Sequence, residues 1–378
     1  MQSIYFDNAA TTPLKKEVVD VMTEAYLSYF GNPSSTHQYG RKAKALLESA
    51  RKNIAKYLHC DPMEIYFTGG GTEADNLILF NCVRHLGIKR IITSAIEHHA
   101  VLHTADRLVS FDGIEVRYVK LLDNGSPDLY DLENLLAENV PTLVSLMWVN
   151  NEIGNTIDLK EISALCEKYN AYFHSDSVQG IGHLPLDLKD TGVHFMAASA
   201  HKFHGPKGVG FAYIQKGIPI QSLLIGGEQE RAVRAGTENL PGILGMEKAL
   251  QLATENLEGD IKKLKELKSY FIGELRHIFE NIQFNGTSAY VDESAPHILS
   301  VRFPKAVPML LFQLDLKGIA ASGGSACQSG SNKGSHVLQH ILNSDEQKKT
   351  SVRFSFSTLN TIEEIDSLLL VLKELIKV

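Results

Sequence analysis

Cysteine is scarce in this chain: Cys60, Cys82, Cys166 and Cys327 are the only four in 378 residues, and no two of them form a C-x-x-C pair. That argues against a disulfide framework or a clustered thiolate metal site and suits a reducing compartment. Basic residues are not in excess either. Lys and Arg number 37 against 44 Asp and Glu, for a net charge of -7, so neither nucleic acid nor an anionic membrane surface is expected as the main partner. No apolar run approaches the roughly 18 residues of a membrane span. The first residues do not read as a secretory signal, and a cytoplasmic location is expected. What remains is an ordinary globular composition, 44% hydrophobic and 21% charged, long enough for a large domain and a smaller one.

Short apolar runs alternate with amphipathic segments. Strands are expected over 64–67, 90–94, 116–121, 143–149, 171–174, 193–198 and 210–214, with helices over 41–58, 74–86 and 158–169 among them. This alternation predicts an α/β fold with a mostly parallel sheet covered on both faces. Residues 5–13 form a small, polar arm that looks placed to lie across something else, and Pro13 is expected in the first turn of the helix that follows. Helices near 241–257 and 259–281 meet at Glu258-Gly259, the expected domain boundary. The large domain would be 15–258, and residues 1–14 with 259–378 would form a smaller α+β domain with strands near 282–284, 298–303, 319–321 and 351–356. Its last helix, 362–377, carries Ile362, Ile365, Leu368, Leu369, Leu372 and Ile376 on one face.

Several stretches carry chemistry. Lys202 stands on a connection between two apolar runs, where partial desolvation or nearby cations favour a neutral amine able to form a Schiff base with an aldehyde. Gly69-Gly70-Gly71-Thr72 turns from a strand into a helix, a form that cradles phosphate but lacks the P-loop lysine; the plainer alternative is a glycine turn capped by Thr72 and Asp75. His98 follows a strand and is placed to cover a planar ring or move protons. His99 and His103 share a helix face and could hold a metal, though no third ligand accompanies them, and no metal site is expected. Residues 150–154 and 175–179 lie beyond strand C-terminal ends, the ligand-binding edge of open α/β sheets. Cys327 lies in a run of glycine and serine that reads as an exposed, mobile loop. There a thiolate can attack a bound substrate and carry away what it has taken.

Together these residues resemble a known family. Tyr5-Phe6-Asp7-Asn8-Ala9-Ala10, Gly31-Asn32-Pro33, Glu97-His98, Asn150-Asn151-Glu152, His201-Lys202, Arg234-Ala235-Gly236-Thr237, Ser325-Ala326-Cys327 and Arg353-Phe354-Ser355 are similar, in order and over nearly the whole chain, to motifs of the NifS/IscS-type cysteine desulfurases. These are class V aminotransferases, pyridoxal-phosphate enzymes of fold type I. The resemblance implies that Lys202 holds pyridoxal 5'-phosphate covalently and later shuttles protons, and that Asp176 pairs with the ring nitrogen. It implies that Gln179 and Asn151 address the ring hydroxyl and the substrate, and that His98 stacks on the ring as acid or base. Gly71, Thr72, Ser199 and His201 would bind the phosphate, with Thr237 arriving from the partner in a homodimer, and Arg353 would clamp the substrate carboxylate. The implied reaction removes sulfur from L-cysteine, giving alanine and a persulfide on Cys327. That sulfur would go to an iron-sulfur scaffold or a tRNA-thiolation enzyme. Two alternatives stay open: a selenocysteine lyase or other enzyme of this fold, and a non-catalytic metal-binding or sulfur-relay protein.

Overall fold

The expected alternation of strand and helix is present in a computed structural model that describes residues 3–323 and 334–376. A two-residue strand β1 (Ile4–Tyr5) is followed by α1 (Lys16–Ser28) and α2 (Gln38–Tyr57). Then come β2 (Ile65–Thr68), α3 (Gly71–Arg84), β3 (Arg90–Thr93), α4 (His99–Asp112), β4 (Glu115–Tyr118) and α5 (Leu129–Leu136). The series continues with β5 (Thr142–Ser145), α6 (Leu159–Lys168), β6 (Tyr172–Asp176), β7 (Phe195–Ser199) and β8 (Gly210–Ile214). A short turn, α7 (Gln229–Ala232), leads to the long helices α8 (Leu240–Glu255) and α9 (Leu257–Ile278). The C-terminal part holds β9 (Gln283–Phe284), β10 (Ile298–Arg302), α10 (Leu310–Leu316), β11 (Ile319–Ala320), α11 (His336–Ile341), β12 (Ser351–Ser355) and α12 (Ile362–Ile376).

The central sheet has the order β2-β8-β7-β6-β5-β3-β4. Only β8 runs antiparallel to its neighbours. Its inner strands are apolar throughout because both faces are covered, and the pleat sends alternate residues to opposite sides. Ile92, Val144, Met196 and Ala198 pack on one face with α2, α5, α6 and α8. Ile91, Leu143, Phe195 and Ala197 pack on the other with α3 and α4. At the edge, β4 carries Glu115 and Arg117, charges that discourage further strand pairing.

A second hydrophobic cluster forms where α9, α10 and α12 cover the antiparallel sheet β12-β10-β9. Phe271 meets Phe354 edge-on at 5.2 Å, and Phe6 meets Phe356 at 5.6 Å. The N-terminal arm thus belongs partly to this cluster. Its strand β1 pairs in parallel with β11, and three residues beyond Phe6, Ala9 packs in the main core. The arm does lie across the molecule.

Local boundaries differ from expectation in instructive ways. Pro13 stands outside α1, whose N-cap is Lys15. Helix α3 begins at Gly71, three residues before the expected start, and is capped by Gly70; Asp75 is not a cap but a buried residue of its second turn. The β5 ladder stops at Ser145 rather than at 149, and the Met147 N–H is taken by the Glu97 side chain. The two long helices meet at Asn256, so Glu258-Gly259 lies in the first turn of α9.

Candidate active site

Strand order changes direction at β3, with β4 on one side and β5 on the other. Such a reversal opens a crevice at the C-terminal edge of a parallel sheet. A cavity of about 240 Å3 lies there. Its sheet-derived wall has Gly71, Thr72 and Asp75 after β2, His98 after β3, Met147, Val149 and Asn151 after β5, Asp176, Val178 and Gln179 at the end of β6, and Ser199, His201 and Lys202 at the end of β7. The facing wall is Ala9 and Ala10 of the arm together with Arg353 of β12.

Lys202 Nζ donates to the carbonyls of Ala9 and Ala10 at 2.7 and 2.9 Å. The arm is pinned beside it: Thr12 Oγ1 donates to the His201 carbonyl at 2.9 Å, and His201 Nδ1 lies 3.2 Å from Thr11 Oγ1. Burial pushes the His201 imidazole down to about 4, with Lys202 and Lys207 adding to the effect. His98 caps α4, its Nδ1 accepting the Ala100 N–H at 3.1 Å, so the neutral ring carries its proton on Nε2. Burial lowers its pKa as well, against the pull of Asp176.

Three carboxyl groups are buried here: Asp75, Glu97 and Asp176. Burial raises all of them, and the repulsion of Asp176 drives Asp75 and Glu97 further up. Asp176 is held back by His98, by the Val178 N–H on its Oδ1 at 3.0 Å and by Lys202, whereas Glu97 has only the Met147 N–H against its rise. Negative charge in the site therefore concentrates on Asp176.

The glycine turn has the geometry of an anion cradle. Gly70 has φ of 145°, and α3 begins at the next residue, leaving first-turn N–H groups free of intrahelical partners. A Cβ on Gly71 would stand 2.5 Å from Val178 Cγ2, and one on Gly70 would stand 3.5 Å from Ser199 Oγ. An amine, a buried carboxylate, an imidazole and this cradle, all facing one cavity, fit a pyridoxal phosphate.

Arg353, 2% exposed, donates from Nη1 to the Asn151 carbonyl at 2.7 Å and from Nη2 to Asp7 Oδ1 at 2.8 Å. Its Nε is buried without a partner. The Arg353 backbone pairs with Ser322, by N–H to carbonyl contacts of 2.7 and 3.2 Å. Cys327 comes five residues later and lies outside the described residues. On the far side of that stretch, Ser335 donates to Glu152, and His336 Nε2 lies 2.9 Å from the Glu97 carbonyl. Both flanks are therefore attached at the cavity rim.

Thr237 is exposed and does not line this cavity. His99 and His103 stack with ring centres 4.8 Å apart, and among the described residues no group of three or more His, Cys, Asp or Glu is arranged to hold a metal ion. Cys82 and Cys166 are wholly buried and Cys60 partly so. Burial pushes the Cys60 and Cys166 thiols up to about 12 and Cys82 higher still, so none of the three is a ready thiolate.

Asp7 and Asp75 received no site role from sequence. A signal existed for Asp75, four residues after Gly71 and so on the same helix face. None existed for Asp7, whose partner is 346 residues away. Among the described residues, no helix is long and apolar enough to cross a membrane.

A family model described as aminotransferase class-V matches residues 4–368. The cysteine desulfurase IscS of Methanosarcina thermophila is 42% identical over 382 residues, covering 100% of this chain and 92% of that relative. A solved NifS-like protein superposes with a TM-score of 0.90 at 36% identity over 99% of both chains. A structure of SspA in complex with cysteine superposes at 0.81 with 28% identity, over 95% of this chain and 100% of that one.

Proposed function

Since the chain belongs to the aminotransferase class-V family and, within it, to the cysteine desulfurases of fold type I, we propose that it takes sulfur from L-cysteine, leaving L-alanine and a persulfide on Cys327. The observation that carries this reading is the convergence on one cavity of Lys202, Asp176, His98 and a glycine-opened helix N-terminus, opposite a buried arginine with an uncommitted N–H.

Bound pyridoxal phosphate supplies an electron sink that weakens bonds at the substrate's α- and β-carbons. Lys202 Nζ would hold it covalently and, once released from it, would be the amine that takes and returns the α-proton. The Asp176 carboxylate keeps a proton on the ring nitrogen. Gly71 and Thr72 in the first turn of α3, with Ser199 and His201, bind the phosphate. Thr237, exposed on its own protomer, reaches the phosphate of a second copy in a homodimer. Gln179 and Asn151 address the ring hydroxyl and the substrate, and His98 covers the ring and exchanges a proton at Nε2. Arg353 binds the substrate carboxylate through charge-assisted hydrogen bonds.

The Cys327 thiolate then attacks the substrate sulfur. A sulfur–sulfur bond forms, the carbon–sulfur bond breaks, and its electron pair stays with carbon and is taken up as a C–H bond with one proton. Alanine leaves without an external oxidant or reductant. Ser322 is paired with Arg353 itself, and Cys327 follows it by five residues, a length of chain that spans at most about 17 Å. The persulfide sulfur passes in the cytoplasm to an acceptor protein, an iron-sulfur scaffold or a tRNA-thiolation enzyme.

The test is to incubate the purified protein with L-cysteine, pyridoxal phosphate and a thiol reductant and to measure alanine and sulfide together. Equal amounts are expected, with both lost in Cys327→Ala and the borohydride-fixed cofactor lost in Lys202→Ala. Neither product from protein that carries the cofactor would overturn the desulfurase reading.

A further inference from the structure

Two imidazoles lie face to face between the sheet and the second hydrophobic cluster. The rings of His183 and His297 have centres 4.0 Å apart and planes 15° from parallel. His183 belongs to the turn after β6, four residues past Gln179, whereas His297 stands just ahead of β10, in the C-terminal part of the chain. His297 is 1% exposed.

Each ring supports a different residue of the site. His297 Nε2 lies 3.3 Å from Gln179 Oε1, and His183 Nε2 lies 2.9 Å from the Lys202 carbonyl. Both oxygens can only accept, so both Nε2 atoms must be donors. A neutral His297 then has no proton on Nδ1, which is buried with no hydrogen-bond partner. The surroundings favour that neutral state: burial, to which His183, Lys268, Arg353 and Lys202 add, holds its pKa well below the usual imidazole range.

The consequence falls on Gln179. Its amide oxygen is committed to His297, and its Nε2 donates to the Ala9 carbonyl at 2.8 Å, the same carbonyl that accepts from Lys202 Nζ. One N–H of the amide remains, on a residue that lines the cavity. The reverse orientation would set the amide oxygen against the Ala9 carbonyl, a repulsive contact in place of a hydrogen bond, and would keep the His297 contact only by moving the imidazole proton to the buried, unpartnered Nδ1.

We propose that His297 is a positioning residue, reaching across the junction to lock the Gln179 amide with its N–H side toward the cofactor's ring oxygen, and that His183 ties this support to the backbone of Lys202. This rests on the cofactor reading given above for Gln179 and Lys202. A fixed donor at the ring oxygen stabilises negative charge there. It therefore favours the deprotonated form of the Lys202-linked cofactor and lowers the pH midpoint of its absorption change.

The test is a pH titration of the visible absorption of the holoenzyme without substrate. His297→Phe keeps a ring against His183 but removes the donor, and it is expected to raise the midpoint by roughly one pH unit. His297→Gln restores a donor and is expected to return the midpoint most of the way, a rescue that a purely structural role would not predict. In a Gln179→Leu background, His297→Phe is expected to add no further shift. Should the phenylalanine variant not fold, His297→Met, unbranched and also without a donor, takes its place in both experiments. A wild-type midpoint in a folded, cofactor-loaded donorless variant would overturn the proposal, as would an undiminished shift in the Gln179→Leu background. If the wild type shows no absorption dependent on Lys202, the reading of the cavity itself falls, and the proposal with it.

Discussion

The two walls of the cavity are held by different means. On the sheet side, Asp176, Gln179, Ser199 and Lys202 stand at strand ends or within three residues of them, and the ladder fixes where their backbones lie. Burial then suppresses charge on most groups: His98 and His201 are pressed toward the neutral form, as are Asp75 and Glu97. On the other side, Arg353 keeps a permanent charge, balanced by Asp7 and a carbonyl. A low-charge wall can turn specific dipoles and one carboxylate toward a bound ring, and a permanently cationic wall can recruit an anion. The difference shows how one cavity can serve an immobile cofactor and an exchanging substrate.

The contrast can be broken most severely on the sheet side at the Asp176 carboxylate. Asp176→Asn preserves shape and removes the ionic partner proposed for the ring, so kcat is expected to fall on the order of 10²-fold, as when one preorganised electrostatic partner is lost. A steady-state kcat within about threefold of wild type would mean that the sheet wall does not work through that charge.

A smaller effect belongs to the facing wall. Charge-assisted hydrogen bonds contribute about 1.5–3 kcal/mol, so Arg353→Gln is expected to raise KM for L-cysteine roughly 10- to 100-fold, with a lesser change in kcat. An unchanged KM would remove Arg353 as the carboxylate clamp.

The smallest effect concerns stability and pH. His201, His183 and His99 are each pushed down to about 4 in the folded chain, against about 6.5 when unfolded. Between those values the unfolded chain binds more protons, so their contribution is fully present above about pH 6.5 and is lost as pH falls toward 4. Asp75 and Glu97, raised by burial, act in the opposite sense. Their contribution is largest below about pH 4 and declines as pH rises toward their folded values. Thermal unfolding of the cofactor-free protein followed from pH 7 to 4.5 should show His201→Gln flattening the decline by on the order of 1–2 °C per pH unit. Equal slopes for wild type and His201→Gln would contradict the burial of that imidazole.

Much of the sheet wall was readable in the chain because its residues follow short apolar runs that can only be buried strands. Lys202 after one such run, Asp176 and Gln179 after another, and Gly71 between a strand and a helix all carry local signals. The exact start of α3 was not readable, because Gly71 and Thr72 serve a loop or a first helical turn equally well until Val178 and Ser199 close on Gly71. Cys327 stands out by its glycine and serine surroundings alone; it lies outside the described residues, and the role proposed for it rests on that context and on the anchoring of its flanks.

By itself the sequence determined the α/β alternation, the strand-end positions of the reactive residues and the family to which the chain belongs. These rest on periodicity and on neighbours within a few residues. Only the tertiary structure decided that Asp7 balances Arg353, that Asp75 turns inward beside Asp176, and that His297 meets His183 and Gln179. Those contacts link side chains that share no local pattern, and burial at them sets protonation and orientation, so they come into being only when the arm, the sheet and β12 close on one another.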